Sequence, residues 1–150
     1  MNHVGNNNIS AFQEIQKFLE TAPRYRFAFV TNRDKLRDIP SVNIGHEVAS
    51  FIHHNQSPDI KSKCFSFIKQ LIIKQTQIDP EIGKYIYLTN LGILFEPEIG
   101  IDVNMFLSNI SRNTMLLLDW KGEIKYPYLY FLHSGSKYKL NLNHLNYITI

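Results

Sequence analysis

The chain has 150 residues, of which 44% are hydrophobic and 19% charged, and its formal net charge at pH 7 is +3. This length suits one domain with a buried core, and the composition excludes a wholly disordered or collagen-like chain. The single cysteine, Cys64, excludes an internal disulfide framework and a zinc site made of several cysteines. We therefore expect one domain over residues 1–150.

No apolar run approaches the ~18 residues that a membrane span needs. Residues 1–8 are polar and rich in asparagine, and they lack the basic start and apolar centre of a secretory signal. We expect a cytoplasmic protein with no membrane partner. The mild positive charge allows an acidic partner but does not require one.

The amino-terminal part predicts a helix followed by two strands. After Asn8 or Ser10, either of which is a good helix N-cap, apolar residues recur at helical spacing until Pro23. Residues 26–31 form an apolar run of strand length, and residues 40–44 form a weaker one. Only a polar loop separates the two.

The middle of the chain predicts helices that alternate with strands. Ser57-Pro58-Asp59 indicates a helix start with proline at its first position, and the broad apolar stripe that follows should pack flat on a sheet. Residues 84–89 favour a strand, and Asp102 caps a helix of regular apolar spacing. The apolar run 114–119 is typical of a strand that is covered on both faces in a parallel sheet.

After Gly122 the chain contains three short β-like runs, at residues 128–132, 137–140 and 147–150. Residues that favour turns lie between them. The full order is helix, strand, strand, two helices, strand, helix, strand and then this β-rich tail. Such an order predicts a three-layer α/β domain with a mainly parallel sheet.

Four segments carry a resemblance to a known family. They are Leu-Thr-Asn-Leu-Gly-Ile-Leu-Phe-Glu-Pro at 88–97, Ile-Asp-Val-Asn at 101–104, the segment 107–114 with its Arg-Asn pair, and Asp-Trp-Lys-Gly-Glu at 119–123. Over roughly residues 40–150 the chain resembles the BrxF family, the small P-loop proteins of type 3 bacteriophage-exclusion (BREX) systems. The resemblance implies a P-loop-NTPase-like fold and a role in prokaryotic antiviral defence.

The residues that such a protein needs for ATP hydrolysis are missing. A phosphate loop requires the pattern G-x-x-x-x-G-K-[ST], whereas residues 32–38 contain no glycine and place Lys35 among carboxylates that repel phosphate. Where the resemblance puts the Walker B acid, the chain has Thr89. Three residues later, at a position that is also expected to be acidic, it has Gly92. We therefore expect a pseudo-ATPase rather than an enzyme, with no catalytic residue, no cofactor and no metal.

A non-catalytic subunit would act through contacts with other proteins of the same defence system or with a second copy of itself. The resemblance points to an exposed loop, an arginine that could bridge subunits, and the turn after residues 114–119. The expected contact residues are Phe95, Glu96, Pro97, Arg112, Trp120 and Lys121. Arg112 also suits a simple role as a helix C-terminal cap.

An alternative function is nucleic-acid binding, with DNA as the partner, because basic and aromatic side chains alternate in the tail. The residues concerned are Lys125, Tyr128, Tyr130, Lys137, Tyr138 and Lys139. Solvated strand faces with aromatic side chains packed beneath them would give the same pattern.

A third alternative is a magnesium-dependent nuclease built on Asp119, Glu123 and Lys125, although the short spacing does not obviously let the carboxylates converge. His46, His53 and His54 do not have the spacing of a zinc helix and are expected to be ordinary surface residues. Cys64 lies on an apolar stripe and is expected to be an inert core residue.

Overall fold

The computed structural model describes residues 10–150; the expectations for residues 1–8, including a cap at Asn8, lie outside them. The elements in chain order are α1 (Ala11–Glu20), β1 (Phe27–Val30), β2 (Val42–Asn43), α2 (Ile44–His54), α3 (Ile60–Gln75), β3 (Gln77–Asp79), β4 (Gly83–Thr89), α4 (Val103–Ser111), β5 (Met115–Asp119), β6 (Gly122–Lys125), β7 (Tyr128–Phe131), β8 (Lys139–Asn141) and β9 (Tyr147–Thr149). Short 3₁₀ helices occupy Arg33–Leu36 and Leu91–Phe95.

The main sheet has the strand order β2-β4-β5-β1-β9, and every neighbouring pair in it is parallel. The short strand β3 joins the β4 edge in the antiparallel direction. The chain is therefore an α/β protein with a mainly parallel sheet, as the alternation of elements predicted.

Helices cover both faces of this sheet because alternate strand residues point into two separate cores. On one face, side chains such as Phe29 and Leu118 pack with α2, α3 and α4. On the other face, Val30 and Leu117 pack with α1 and with Leu36 of the first 3₁₀ helix. All five residues of β5 are buried, which confirms the prediction of a strand covered on both sides.

Several local predictions hold because their signals are local. Ser10 caps α1 in a capping box with Gln13, and Asp102 caps α4 by accepting a hydrogen bond from the Met105 N–H.

Two predicted boundaries differ from the structure. The prediction that Pro58 is the first residue of the third helix is wrong, because the helix begins at Ile60 and Asp59 is its N-cap. The second strand is shorter than predicted, since Ile44 already belongs to α2.

The β-rich tail divides between two sheets, which differs from the prediction of one tail. Strand β9 pairs with β1 in the main sheet, whereas β6, β7 and β8 form a separate antiparallel sheet. The buried side chains of Leu129 and Leu140 attach this small sheet to the core that contains α2 to α4. Within residues 10–150, no helix combines the length and apolar character that crossing a membrane requires.

Candidate functional site

The candidate site is a cleft at the carboxyl ends of the main-sheet strands. Strands β1 and β5 are neighbours, yet the chain leaves β1 toward β2 at one edge of the sheet and leaves β5 toward β9 at the other. Open parallel sheets bind ligands outside the carboxyl ends of strands at such a switch point. A cleft of about 420 Å³ lies there, lined by Arg33, Ser41, Asn43, Tyr87, Thr89, Asn90, Leu91, Asp119, Lys121 and Phe131.

An ion pair between Arg33 and Asp119 occupies one wall of the cleft. Asp119 ends β5 beside Val30 of β1, and Arg33 begins the 3₁₀ helix that follows β1. The Arg33 Nε donates to Asp119 Oδ1 at 2.9 Å, and a second guanidinium nitrogen donates to Asp119 Oδ2, so the pair is bidentate. The Asp119 side chain is only 4% exposed, whereas that of Arg33 is 55% exposed.

The pKa values of Arg33 and of the neighbouring Tyr87 are both raised at this ion pair. The hydrogen bond and the negative charge of Asp119 raise the pKa of the Arg33 guanidinium. Burial raises the pKa of the Tyr87 phenol, and the nearby Asp119 carboxylate raises it further. The acid at this edge is therefore neutralised by an arginine of the same chain.

Backbone N–H groups of the connection from β1 to β2 donate to acceptors within the connection and to Ile150. The N–H groups of Thr31 and Asn32 donate to the Ile150 carbonyl at 2.7 and 3.1 Å. Those of Asp34, Lys35 and Arg37 donate to Asn32 Oδ1, the Asn32 carbonyl and the Asp34 carbonyl. A phosphate loop needs such N–H groups to point at the ligand, and here these five are already used.

The opposite wall of the cleft is neutral. Thr89, at the position expected for the Walker B acid, directs its hydroxyl toward the Val42 carbonyl at 3.5 Å. Asn90 donates to Asn43 Oδ1 at 3.1 Å, and the Asn43 side chain also caps α2. Gly45 allows this approach, because a Cβ at that position would overlap the Asn90 side chain. Among residues 10–150, Asp119 is the only one whose carboxylate lines the cleft.

The expected protein-contact residues do not form one surface. Trp120 is only 4% exposed, so its assignment to a contact surface is wrong. It packs in an aromatic cluster that also contains Phe29, Phe95, Phe131 and Tyr138, with ring centroids of neighbouring pairs 5.7 to 6.2 Å apart. Phe95 and Glu96 are half-buried and Pro97 is exposed. The loop therefore supports the small sheet as well as facing solvent.

Two basic residues from the same predicted set lie far apart in the topology. Lys121 is exposed and lines the cleft at the carboxyl edge. Arg112 is the exposed C-cap of α4, immediately before β5, and so lies at the amino edge of the sheet. This position fits the helix-capping role and separates Arg112 from the cleft.

The expected nucleic-acid residues are partly brought together. Lys125, Tyr128, Tyr130 and Lys139 share one face of the small sheet, since Lys125 is opposite Tyr128 and Lys139 is opposite Tyr130. Tyr138 instead stacks on Phe95 with ring centroids 5.7 Å apart. The Lys137 ammonium lies 5.2 Å above the Tyr138 ring and therefore accompanies it.

The nuclease hypothesis lacks a convergent site. Asp119 is paired with Arg33, while Glu123 lies on exposed β6 with its carboxylate 3.9 Å from the Lys125 ammonium. Within residues 10–150 no three histidine, cysteine or acidic side chains are grouped to hold a metal ion. Cys64 is buried in the core, and burial raises the pKa of its thiol.

Sequence reasoning missed the Arg33–Asp119 pair. A signal was present, because residues 26–31 and 114–119 both read as buried strands of one parallel sheet and polar residues follow or end each run. The carboxyl ends of such strands meet at the same edge. The sequence pattern does not indicate that these two strands are neighbours in the sheet.

Comparisons with known proteins identify no relative of this chain. Its sequence matches no family model, and no curated protein and no solved structure matches it significantly.

Proposed function

We propose that this chain is a non-catalytic subunit with a P-loop-like fold, which serves a prokaryotic anti-phage defence system of the BREX type through protein contacts. The observation that carries the non-catalytic part is the Arg33–Asp119 ion pair at the carboxyl edge, together with the self-bonded connection after β1. The resemblance of segments 88–97 and 120–123 to the BrxF family supports the assignment to this kind of system.

The geometry after β1 differs from a working phosphate site at each necessary part. A P-loop unit consists of a strand, a glycine-rich loop and a helix, whereas β1 is followed by a 3₁₀ helix and then by β2. Hydrolysis also needs Mg²⁺ held by an acid and a residue that orients water. At the carboxyl edge of the sheet, the Asp119 carboxylate is already paired with Arg33. Thr89 stands where the resemblance puts the Walker B acid.

A shallow apolar groove between α3 and α4 supports the protein-contact part. Phe65 and Ile73 of α3 are 40% and 66% exposed, and they line a cavity of about 400 Å³ with Phe106 and Ile110 of α4. These exposed side chains offer an apolar contact to a partner. Lys69 and Lys84 also line the groove, and no acidic residue of the part that the structure describes does. The partner is therefore a protein that presents an apolar side chain with acidic neighbours.

The first prediction concerns nucleotide binding. Titration of the chain with ATP and Mg²⁺ in a calorimeter is expected to show no heat of binding, because five of the N–H groups after β1 already donate to acceptors within the chain. An ATPase with an intact phosphate loop, titrated in the same buffer, provides the positive control. A sub-millimolar affinity for ATP would contradict the pseudo-ATPase assignment.

The second prediction concerns the partner. Affinity capture from the native host should recover a protein encoded within a set of phage-exclusion genes beside this chain's gene. Ile73→Asp should abolish the capture, because it puts a carboxylate into the apolar groove. Ile78→Asp is the matched control, since Ile78 is 77% exposed on β3 and does not line the groove.

Two results would contradict this assignment of the partner. Equal capture by the Ile73→Asp and Ile78→Asp variants would show that the groove is not the contact. A wild-type dimer in light scattering that Ile73→Asp alone dissociates would show that the groove holds a second copy of the chain.

A further inference from the structure

We propose that the outer face of the β6–β8 sheet binds single-stranded nucleic acid. We call this surface the tyrosine–lysine face and define it by Lys125, Tyr128, Tyr130 and Lys139, with Glu123 as its acidic member. It is separate from the cleft and from the α3–α4 groove. The inference goes beyond the proposed function and does not depend on it.

The strand registers place these residues side by side. Tyr128 and Tyr130 are two residues apart on β7, so both point to the same side of the sheet. Lys125 and Glu123 lie opposite them on β6, and Lys139 lies opposite Tyr130 on β8. Three strands thus contribute to one continuous surface.

The tyrosines are not needed to fill the core. The side chains of Leu129 and Leu140, which alternate with the tyrosine–lysine face along β7 and β8, are each only 1% exposed and attach the sheet to the protein. Tyr128 and Tyr130 are half-buried on the solvent side, with ring centroids 5.9 Å apart. Two partly exposed aromatic rings on the solvent side of a strand are the arrangement on which successive bases can stack.

The lysines are placed beside the rings. The Lys139 ammonium lies 4.2 Å from the Tyr128 centroid and 5.8 Å from the Tyr130 centroid. A base that stacks on Tyr128 must move this ammonium aside, toward the phosphate that accompanies the base. Lys125 is exposed and donates to the Ser134 hydroxyl at 3.1 Å, at the rim of the same face.

The charge of the face favours an anion, with one opposing group. Of the residues on strands β6 to β8, only Glu123 places a carboxylate on the tyrosine–lysine face, and its oxygen lies 3.9 Å from the Lys125 ammonium. Lys121 and Lys137 are exposed near the ends of β6 and β8. The alternation of cations with flat aromatic rings fits a chain of phosphates and unpaired bases better than it fits an acidic protein, which has no bases to stack.

The third prediction measures this binding directly. Fluorescence anisotropy with labelled oligothymidylate should show binding at low salt that is stronger than binding to a duplex of equal length. Tyr128→Ala and Tyr130→Ala should each weaken the affinity roughly tenfold, because a base–aromatic stack is lost. Tyr128→Phe and Tyr130→Phe should bind like the wild type, since phenylalanine keeps the ring.

Salt dependence and charge variants test the lysines. Lys139→Gln should reduce the slope of log affinity against log salt by about 0.7, the value for one phosphate contact to a single strand. Lys74→Gln is the matched control, because Lys74 is also exposed but lies on α3. Glu123→Gln should strengthen binding about two- to threefold, since it removes the opposing carboxylate.

Thermal unfolding followed by circular dichroism checks that each variant is folded. If an alanine variant fails to fold, the Lys139→Gln slope and the Glu123→Gln gain still decide the question. The proposal is overturned by absence of binding at low salt, by equal affinity for duplex DNA, or by equal affinity for polyglutamate. The calorimetric test with ATP is independent of all these outcomes, so the two proposals can fail separately.

Discussion

Replacement of Arg33 by methionine is expected to destabilise the protein by about 2 to 3 kcal/mol at neutral pH. The variant leaves the Asp119 carboxylate, which is only 4% exposed, without its bidentate partner. The loss of one partner from a fully buried pair costs about 3 to 5 kcal/mol. A smaller cost follows here because the Arg33 side chain is 55% exposed and the cleft admits water. Urea unfolding at neutral pH measures the change.

Two companion variants separate this ion pair from general surface effects. Arg37→Met removes a guanidinium from the same connection, but its pair with Asp34 at 3.5 Å is exposed on both sides and should contribute less than about 1 kcal/mol. The double variant Arg33→Met, Asp119→Leu should recover most of the lost stability, because no buried charge remains. Equal effects of Arg33→Met and Arg37→Met would show that the pair does not hold the connection.

The parts of the fold that sequence reasoning predicted are those whose signals lie within one element. The cap at Ser10, the cap at Asp102 and the apolar centre of β5 each depend on neighbours fewer than five residues away. Spacing and capping chemistry report such features directly. The alternation of helices with strands then implied a mainly parallel sheet.

The tail could not be divided between two sheets from its sequence. Residues 128–132 and 147–150 have the same β-favouring character, yet β7 pairs antiparallel in the small sheet and β9 pairs parallel with β1. Which strand pairs with which depends on packing across the whole chain, and strand propensity does not report it. The exposed strand β6 lacked an apolar signal, since all four of its residues are exposed.

The sequence predicted which parts of a phosphate site are missing from the cleft, but it did not predict the ion pair that the cleft contains. The absence of glycine from residues 32–38 and the threonine at position 89 are visible in the sequence. The pairing of Arg33 with Asp119 joins positions 86 residues apart and follows only from the adjacency of β1 and β5. Trp120 was assigned to a surface because it lies in a turn motif, whereas Phe95 and Phe131 cover its ring.

Truncation of Trp120 to alanine is expected to destabilise the protein by about 3 to 5 kcal/mol, the range for removal of a large buried aromatic side chain. The indole lies within the aromatic cluster, and its Nε1 donates to the Tyr130 carbonyl at 2.9 Å. The variant therefore removes both an apolar contact and the bond that ties β7 to the end of β5. Loss of oligothymidylate binding should accompany the loss of stability, since Tyr128 and Tyr130 lie on β7.

Gly122→Ala tests the same attachment by addition rather than removal. A Cβ at Gly122 would overlap the Tyr130 carbonyl and lie 2.8 Å from the Leu132 nitrogen and 3.0 Å from Trp120 Nε1. Two of these atoms belong to the backbone and cannot shift without distorting the strands. We therefore expect the free energy of unfolding to fall by about 3 kcal/mol, at the upper end of the range for overpacking.

Gly135→Ala, in the turn between β7 and β8, is the matched control. A Cβ at Gly135 meets nothing within 4 Å, so only its positive φ of 86° should cost stability, by about 1 to 2 kcal/mol. Guanidinium unfolding followed by tryptophan fluorescence measures both variants through Trp120 itself. If Gly122→Ala destabilises the protein no more than Gly135→Ala does, then β6 can move away from β7 without loss of stability. The close contact between Gly122 and the Tyr130 carbonyl would then not help to hold the small sheet on the end of β5.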